Sequence, residues 1–347
     1  MSRTGLQIGT TVAAPGTKAN GAVQVANRPD GSPIFIPVMI VNGIEDGPVV
    51  SMDGCIHGDE YEGPEAIHAL VARLDPTELR GAFIGVPVVN TLALQAMQRV
   101  TPNDPLSYPD VNRSYPGRQD GGMTGRIAYT HFNEIVRHTD VVITVHSGAS
   151  FAMLPPKLIY HERDDDLGRR NLEIAKAFGW EILWQDGSYP GTLHQAAAEL
   201  DIVCIAPEFG GTDRMPRLRA ERTRRLITGA LNVMKQLDML DGELELPERW
   251  QVVKGESHVF AKQGGLLNYV PDFDLGQKVS HGQKIASIVD LYGSEIEAVI
   301  APYDGLSIMM RTLPLVNAGD WIVGIGEYVR TIENSQQAIG SRVGGQR

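Results

Sequence analysis

The sequence places a histidine and a glutamate three residues apart at the end of a predicted strand. In SMDGCIHGDEYEGPEAIHAL, residues 51–70, a run of small and apolar residues ends at His57, and Glu60 follows. This spacing lets one turn present two side chains to the same point, and both residue types bind zinc. A lone H-x-x-E pattern is expected about once by chance in a chain this long, so the pair alone does not define a metal site.

Three further polar residues close predicted strands. Asn90 ends GVPVV, His146 ends VVITV and Glu208 ends IVCIAP. Open α/β sheets bind ligands beyond the carboxyl ends of their strands. Catalytic zinc sites use three protein ligands, typically two histidines and a carboxylate, with an open position for water. His57, Glu60 and His146 supply that set, and Glu208 suits a general base.

A long loop rich in glycine and proline concentrates positive charge on an acidic chain. It reads QRVTPNDPLSYPDVNRSYPGRQDGGMTGR and contains Arg99, Asp110, Asn112, Arg113, Arg118 and Arg126. Loops of that length are usually functional or disordered. The last two arginines are expected on a solvated face. Each candidate alone keeps a plain alternative, because a strand-end histidine is often structural and a carboxylate there can serve a salt bridge or a helix cap.

The composition is that of an ordinary folded protein. The 347 residues are 42% hydrophobic and 21% charged, with a net charge of −11. That balance gives no basic footprint for nucleic acid, and no apolar run is long enough for a membrane helix. No secretory signal is predicted, because the N-terminal residues lack an apolar stretch. No disulfide framework is predicted either, since the only two cysteines, Cys55 and Cys204, lie in apolar runs. We expect a cytoplasmic protein with no nucleic-acid or membrane partner, and a homo-oligomer is left open.

The elements that must position these residues alternate between strand and helix over residues 31–245. Such alternation predicts an α/β domain with a mostly parallel or mixed sheet and helices on both faces. Residues 1–30 are expected to form an arm or strands. Short strands between glycine turns predict a small all-β domain over residues 246–335, followed by a tail at residues 336–347.

Five segments of the chain resemble the succinylglutamate desuccinylase and aspartoacylase family of zinc hydrolases, which is related to the zinc carboxypeptidases. They are GCIHGDEYEG, VPVVNTLALQAMQR, PDVNRSYPG, VHSGA and APEFGG, in the family's order across about residues 50–215. The C-terminal APYDG…VNAGDWIVGIG is similar to the β domain of the bacterial subgroup that includes N-acetyl-diaminobutyrate deacetylases. The resemblance implies a zinc-carboxypeptidase-like fold and a deacylase acting on a small N-acylated amino acid or related amide.

The same resemblance implies how the strand-end residues work. His57, Glu60 and His146 would bind one zinc ion per chain. Glu208 would take a proton from water as general base and then return it, as acid, to the leaving amine.

The resemblance also implies how the loop residues work. Arg99 would polarise the scissile carbonyl and stabilise its oxyanion, while Asn112 and Arg113 would hold a carboxylate of a small anionic substrate. One departure concerns the third ligand. The family often has Asp-x-His there, whereas this chain has Thr144 two residues before the histidine, so the carboxylate that would orient the ligand region is not expected at that position.

Other functions stay open. A metallocarboxypeptidase acting on short peptides is the alternative enzyme, and a C-terminal β domain that caps the cleft would argue against it. A non-catalytic zinc-binding protein would leave Glu208 without a reason to lie beside the ligands. The C-terminal segment also resembles the barrel-sandwich folds of lipoyl and biotinyl carriers, but YGSEIEAVI before APYDG has no lysine to modify. We expect that segment to be structural.

Overall fold

A large mixed sheet forms the centre of the molecule. The structure, a computed structural model, describes residues 3–105, 108–186 and 189–334, so the predicted tail lies outside the described residues. The described chain contains one sheet of twelve strands, one of four and one of two. Among the described helices, none combines the length and apolar character that a membrane span requires.

The strands and helices have the following bounds. In chain order the strands are β1 (Leu6–Ile8), β2 (Thr11–Ala13), β3 (Thr17–Asn27), β4 (Pro33–Asn42), β5 (Glu45–Asp53), β6 (Arg80–Val86), β7 (Val141–Thr144), β8 (Ala152–His161), β9 (Ile182–Asp186), β10 (Val203–Gly211), β11 (Arg249–Phe260), β12 (Gly265–Tyr269), β13 (Lys278–Val279), β14 (Lys284–Val289), β15 (Glu295–Ile300), β16 (Gly305–Arg311), β17 (Leu315–Val316) and β18 (Trp321–Glu333). The α-helices are α1 (Glu62–Arg73), α2 (Thr91–Ala96), α3 (Met123–Glu134), α4 (Asp166–Phe178), α5 (Leu193–Ala198) and α6 (Pro216–Gln236), and 3-10 turns occur at Val111–Arg113 and Val136–His138.

The twelve strands lie in the order β13-β16-β18-β11-β9-β8-β10-β7-β5-β6-β4-β3. The pairs β6–β5, β5–β7, β7–β10, β8–β9 and β9–β11 are parallel. Strand β8 runs antiparallel to β10, and both ends of the sheet are antiparallel. The prediction of a mixed α/β sheet is therefore confirmed.

Helices cover both faces of this sheet because its central strands are apolar on both sides. All four residues of β7 are buried. Val141 and Ile143 pack in a core with helices α1, α4 and α6, whereas Val142 packs in a second core with α3 and α5. The parallel centre of the sheet thus directs the carboxyl ends of β5 and β7 to one edge, where the candidate ligands follow.

The C-terminal strands divide between two sheets. Strands β15, β14, β12 and β17 form a small antiparallel sheet with its own apolar core. Strands β11, β13, β16 and β18 instead extend the twelve-stranded sheet, in which β11 pairs with β9. The predicted domain boundary between residues 245 and 246 stays a prediction. Strands from both sides of this boundary belong to the large sheet. At the other end of the chain, β1 and β2 form the two-stranded sheet and β3 closes the large one.

Candidate metal centre

His57, Glu60 and His146 meet in one buried group. The Nδ1 atom of His57 lies 2.8 Å from Glu60 Oε1, and His146 Nδ1 lies 2.8 Å from Glu60 Oε2. One potential ligand atom from each residue lies within 4.8 Å of the others. One carboxylate thus joins two imidazoles, and the three side chains bring two nitrogens and one oxygen close together.

The backbone brings these residues together through two neighbouring parallel strands. Strand β5 ends at Asp53, so His57 lies in the following loop rather than at the last strand position, and His146 comes two residues after β7. In register, Asp53 pairs with Thr144. The loop after His57 packs tightly, because a Cβ on Gly58 would lie 2.0 Å from the carbonyl carbon of Ala93. Only glycine allows that approach.

The electrostatics of the group keep Glu60 ionised. Burial alone would raise the pKa of Glu60, but His57 and His146 outweigh it and hold that pKa well below its usual range. Burial lowers the pKa of His146, and the attraction of Glu60 more than reverses this, so its pKa is raised. An ionised carboxylate with two imidazoles fits a divalent metal ion.

Asp110 supports the first ligand, a role that sequence reasoning missed. Its Oδ1 lies 3.1 Å from His57 Nε2, on the side of the ring opposite Glu60. Its Oδ2 accepts hydrogen bonds from Arg99 Nε at 3.3 Å and Nη2 at 3.2 Å. A carboxylate on the far nitrogen fixes the tautomer of a ligating histidine. The sequence feature that could have indicated this role is the position of Asp110, two residues before Asn112.

Three residues of the long loop, Arg99, Asn112 and Arg113, also lie at this group. Arg99 Nη1 donates to Glu60 Oε1 at 3.3 Å. Asn112 Nδ2 lies 3.4 Å from His146 Nε2, and its Oδ1 accepts from Leu193 N at 3.0 Å. Arg113 Nη1 donates to the Asn112 carbonyl at 2.8 Å. The structure therefore brings Arg99 and Asn112 into contact with the metal-binding group and anchors Arg113 beside it.

Glu208 lies inside a strand rather than at its end. Strand β10 runs on to Gly211, because the antiparallel strand β8 continues to pair with it, with a register shift between Glu208 and Gly210. An isolated parallel β-bridge joins the backbone of Glu208 to that of His146. The Glu208 side chain is 21% exposed, and its Oε2 lies 2.8 Å from Nζ of Lys157, another residue that sequence reasoning missed. Asn90, the remaining strand-end residue, instead caps α2 by accepting from Ala93 N.

A carboxylate next to the third ligand comes from the neighbouring strand. Thr144 Oγ1 donates to Asp53 Oδ1 at 2.7 Å, and both residues are fully buried. Burial raises the pKa of Asp53 to about 7, although the Thr144 hydrogen bond and His146 act in the opposite direction. The other Asp53 oxygen lies 3.8 Å from His131 Nε2. The carboxylate that is absent at position 144 is thus present across the register at position 53.

All the predicted site residues line one cavity of about 470 Å³. Its lining also includes Phe260 from β11, Met309 from β16 and Trp321 from β18. A cavity of this size suits a small molecule. The C-terminal strands therefore shape the same cavity that holds the candidate ligands.

Comparison with known proteins agrees with this geometry. The model of the succinylglutamate desuccinylase/aspartoacylase catalytic domain matches residues 46–237. A relative from Halomonas elongata, N-alpha-acetyl-L-2,4-diaminobutyric acid deacetylase, is 33% identical over 308 residues, which is 86% of this chain and 87% of the relative. The product-bound structure of the ectoine utilization protein EutE (DoeB) from Ruegeria pomeroyi superimposes with a TM-score of 0.80 at 26% identity, covering 94% of this chain and 96% of that one. A succinylglutamate desuccinylase/aspartoacylase structure from Rhodobacter sphaeroides gives a TM-score of 0.78 at 26% identity, covering 94% and 97%.

Proposed function

Because the chain belongs to the succinylglutamate desuccinylase/aspartoacylase family, we propose that it is a zinc-dependent amide hydrolase that removes the acyl group from a small N-acylated amino acid. The observation that carries this proposal is the buried His57–Glu60–His146 group, whose potential ligand atoms lie within 4.8 Å of one another. With it we propose a zinc-carboxypeptidase-like α/β arrangement and a C-terminal part of barrel-sandwich type. The cytoplasmic location and a homo-oligomer stay predictions.

For the substrate, we propose an N-acetylated diamino acid or a close analogue. The Halomonas elongata relative is named for N-alpha-acetyl-L-2,4-diaminobutyric acid. A cavity of about 470 Å³ matches a compound of that size better than a long peptide. Arg113, with Asn112 beside it, is the group proposed to hold the substrate carboxylate, because a guanidinium and a carboxylate form a planar pair of hydrogen bonds.

The proposed roles follow from where each side chain lies. A zinc ion held by the three ligands would supply Lewis acidity and lower the pKa of a bound water to about 7. Glu208 takes a proton from the attacking water and passes it to the amide nitrogen as the carbon–nitrogen bond breaks, which gives a free carboxylate and an amine. Arg99 has further N–H groups beyond those bound to Glu60 and Asp110, and these hydrogen-bond the oxyanion that forms on the carbonyl.

The direct test uses the purified protein and Glu208→Gln. We expect about one zinc per chain by elemental analysis, and hydrolysis of an N-acetyl amino acid from a panel of N-acetyl, N-succinyl and N-formyl compounds that stops on addition of a chelator. Glu208→Gln should lower kcat by at least about 100-fold, the lower range for general acid–base catalysis, with zinc retained. Glu65→Gln, an exposed glutamate on α1 paired with Arg219, is the matched control and should stay fully active.

Other outcomes point to the alternative functions. Full activity of Glu208→Gln contradicts the mechanism. Efficient release of C-terminal residues from peptides would favour a metallocarboxypeptidase, and bound zinc without hydrolysis of any compound would favour a non-catalytic protein.

A further inference from the structure

Lys157 is a buried lysine beside the proposed proton carrier. The residue is 1% exposed, and its Nζ lies 2.8 Å from Glu208 Oε2. A buried ammonium is unfavourable unless an opposite charge and further acceptors compensate it. The proposed mechanism assigns this ammonium no part, although it contacts the one carboxylate that must exchange a proton.

Three strands fix the position of the ammonium. Lys157 on β8 faces Glu208 on β10 in the antiparallel register. The Nζ atom also donates to the carbonyl of Ile308 on β16 at 3.2 Å and lies 4.8 Å from the ring centre of Trp184 on β9. An ion pair, a hydrogen bond and a cation–π contact to three different strands together restrict the movement of the ammonium. The Lys157 ammonium thus holds one oxygen of Glu208 in an ion pair.

We propose that Lys157 is a positioning residue for the reaction: it binds Oε2 of Glu208 so that the other carboxylate oxygen is presented to the reacting water. This inference rests on the proposed role of Glu208. Without the ion pair, the carboxylate samples several rotamers, and displacements of about 1 Å at a reacting group can cost about 100-fold in rate. The carbonyl of Ile308 gives the C-terminal strands an indirect part in this placement.

The test is a double-mutant cycle in kcat between Lys157→Met and Glu208→Gln. Methionine keeps the length and apolar body of lysine and removes the charge. We expect Lys157→Met to lower kcat by about 10- to 100-fold, with KM changed less than about threefold and zinc content unchanged. In the Glu208→Gln background, the same substitution should lower kcat no further, because the group that it positions is gone.

Two further variants keep the experiment decisive. Lys157→Arg retains the charge and serves if the methionine variant does not fold. If both variants fold, Lys157→Arg should lose less activity than Lys157→Met. In either case the loss caused by Lys157→Arg should vanish in the Glu208→Gln background. Lys176→Met is the matched control, because Lys176 on α4 likewise lies over a tryptophan ring, at 5.2 Å from the centre of Trp250, and should keep full activity.

The outcomes separate this inference from the proposed function. If Lys157→Met lowers kcat by the same factor with and without Glu208, Lys157 does not act through Glu208 and the inference is wrong. A rise in KM at unchanged kcat also contradicts it, because it would show that Lys157 binds the substrate directly. If Glu208→Gln alone is fully active, the proposed mechanism is wrong, whatever the result for Lys157.

Discussion

Glu60 is the residue on which the other charges of the metal-binding group converge. It accepts one hydrogen bond from Arg99 and lies 2.8 Å from the Nδ1 atoms of both His57 and His146. Its two oxygens therefore orient both imidazoles. Removing this one carboxylate is expected to disturb all three neighbours at once.

Replacing Glu60 with glutamine should remove the metal. An amide offers one oxygen and one NH₂ group, so it cannot accept from both rings, and the site loses its only anionic ligand among the three. We expect the affinity for zinc to fall by more than the 10- to 100-fold typical when only a supporting partner of a ligand is lost, so that most of the zinc is removed by dialysis. Elemental analysis against Glu65→Gln measures this. Retention of a full zinc equivalent would show that Glu60 is not a ligand.

At the scale of the elements, a buried hydrogen bond joins the two strands that precede His57 and His146. Thr144 on β7 and Asp53 on β5 face each other in register, and the 2.7 Å bond between them is buried. Asp53 has no exposed surface, so water cannot replace a lost donor. The two strands that lead to the ligands are thus joined by polar side chains as well as by the backbone.

Thr144→Val should destabilise the protein. Valine keeps the shape of threonine, but Asp53 Oδ1 loses its donor, and an unsatisfied buried acceptor costs about 1–3 kcal/mol. We expect the free energy of unfolding, measured in urea, to fall by that amount. Thr144→Ser keeps the hydroxyl and should cost less than valine. A larger loss for Thr144→Ser than for Thr144→Val would mean that packing of the methyl group, which valine keeps and serine removes, matters more than the hydrogen bond.

The elements also show what could be predicted from the sequence. The ligands were predictable because parallel neighbours β5 and β7 end at one edge, where His57 and His146 follow. Asp53 could not be assigned, since its contact with Thr144 depends on strand register. Lys157 could not be assigned either, because its partner depends on the reversal of strand direction between β10 and β8, and a lysine in PPKLIY gives no sign of that pairing.

At the scale of the whole molecule, the twelve-stranded sheet joins the N-terminal and C-terminal parts of the chain. Trp250 and Val252 of β11 are buried in the core formed with α1, α4 and α6. The same part of the chain lines the cavity through Trp321 and contacts Lys157 through the Ile308 carbonyl. The C-terminal strands therefore contribute residues both to the main core and to the cavity.

A fragment that ends at residue 246 is therefore expected not to fold cooperatively. It would expose the edge of β9 and remove Trp250 and Val252 from the core. Thermal unfolding of the fragment followed by circular dichroism should show no sharp transition, in contrast to that of the full chain. A fragment that folds and binds zinc would instead support two separable domains.

The C-terminal strands pass back and forth between the two sheets. After β11 in the large sheet come β12 in the small one, β13 in the large, β14 and β15 in the small, β16 in the large, β17 in the small and β18 in the large. A recombination crossover between related genes inside this segment would mix parental strands in both sheets at once. The segment from β11 to β18 should therefore be inherited as a block, and hybrid enzymes built from two relatives should exchange it whole.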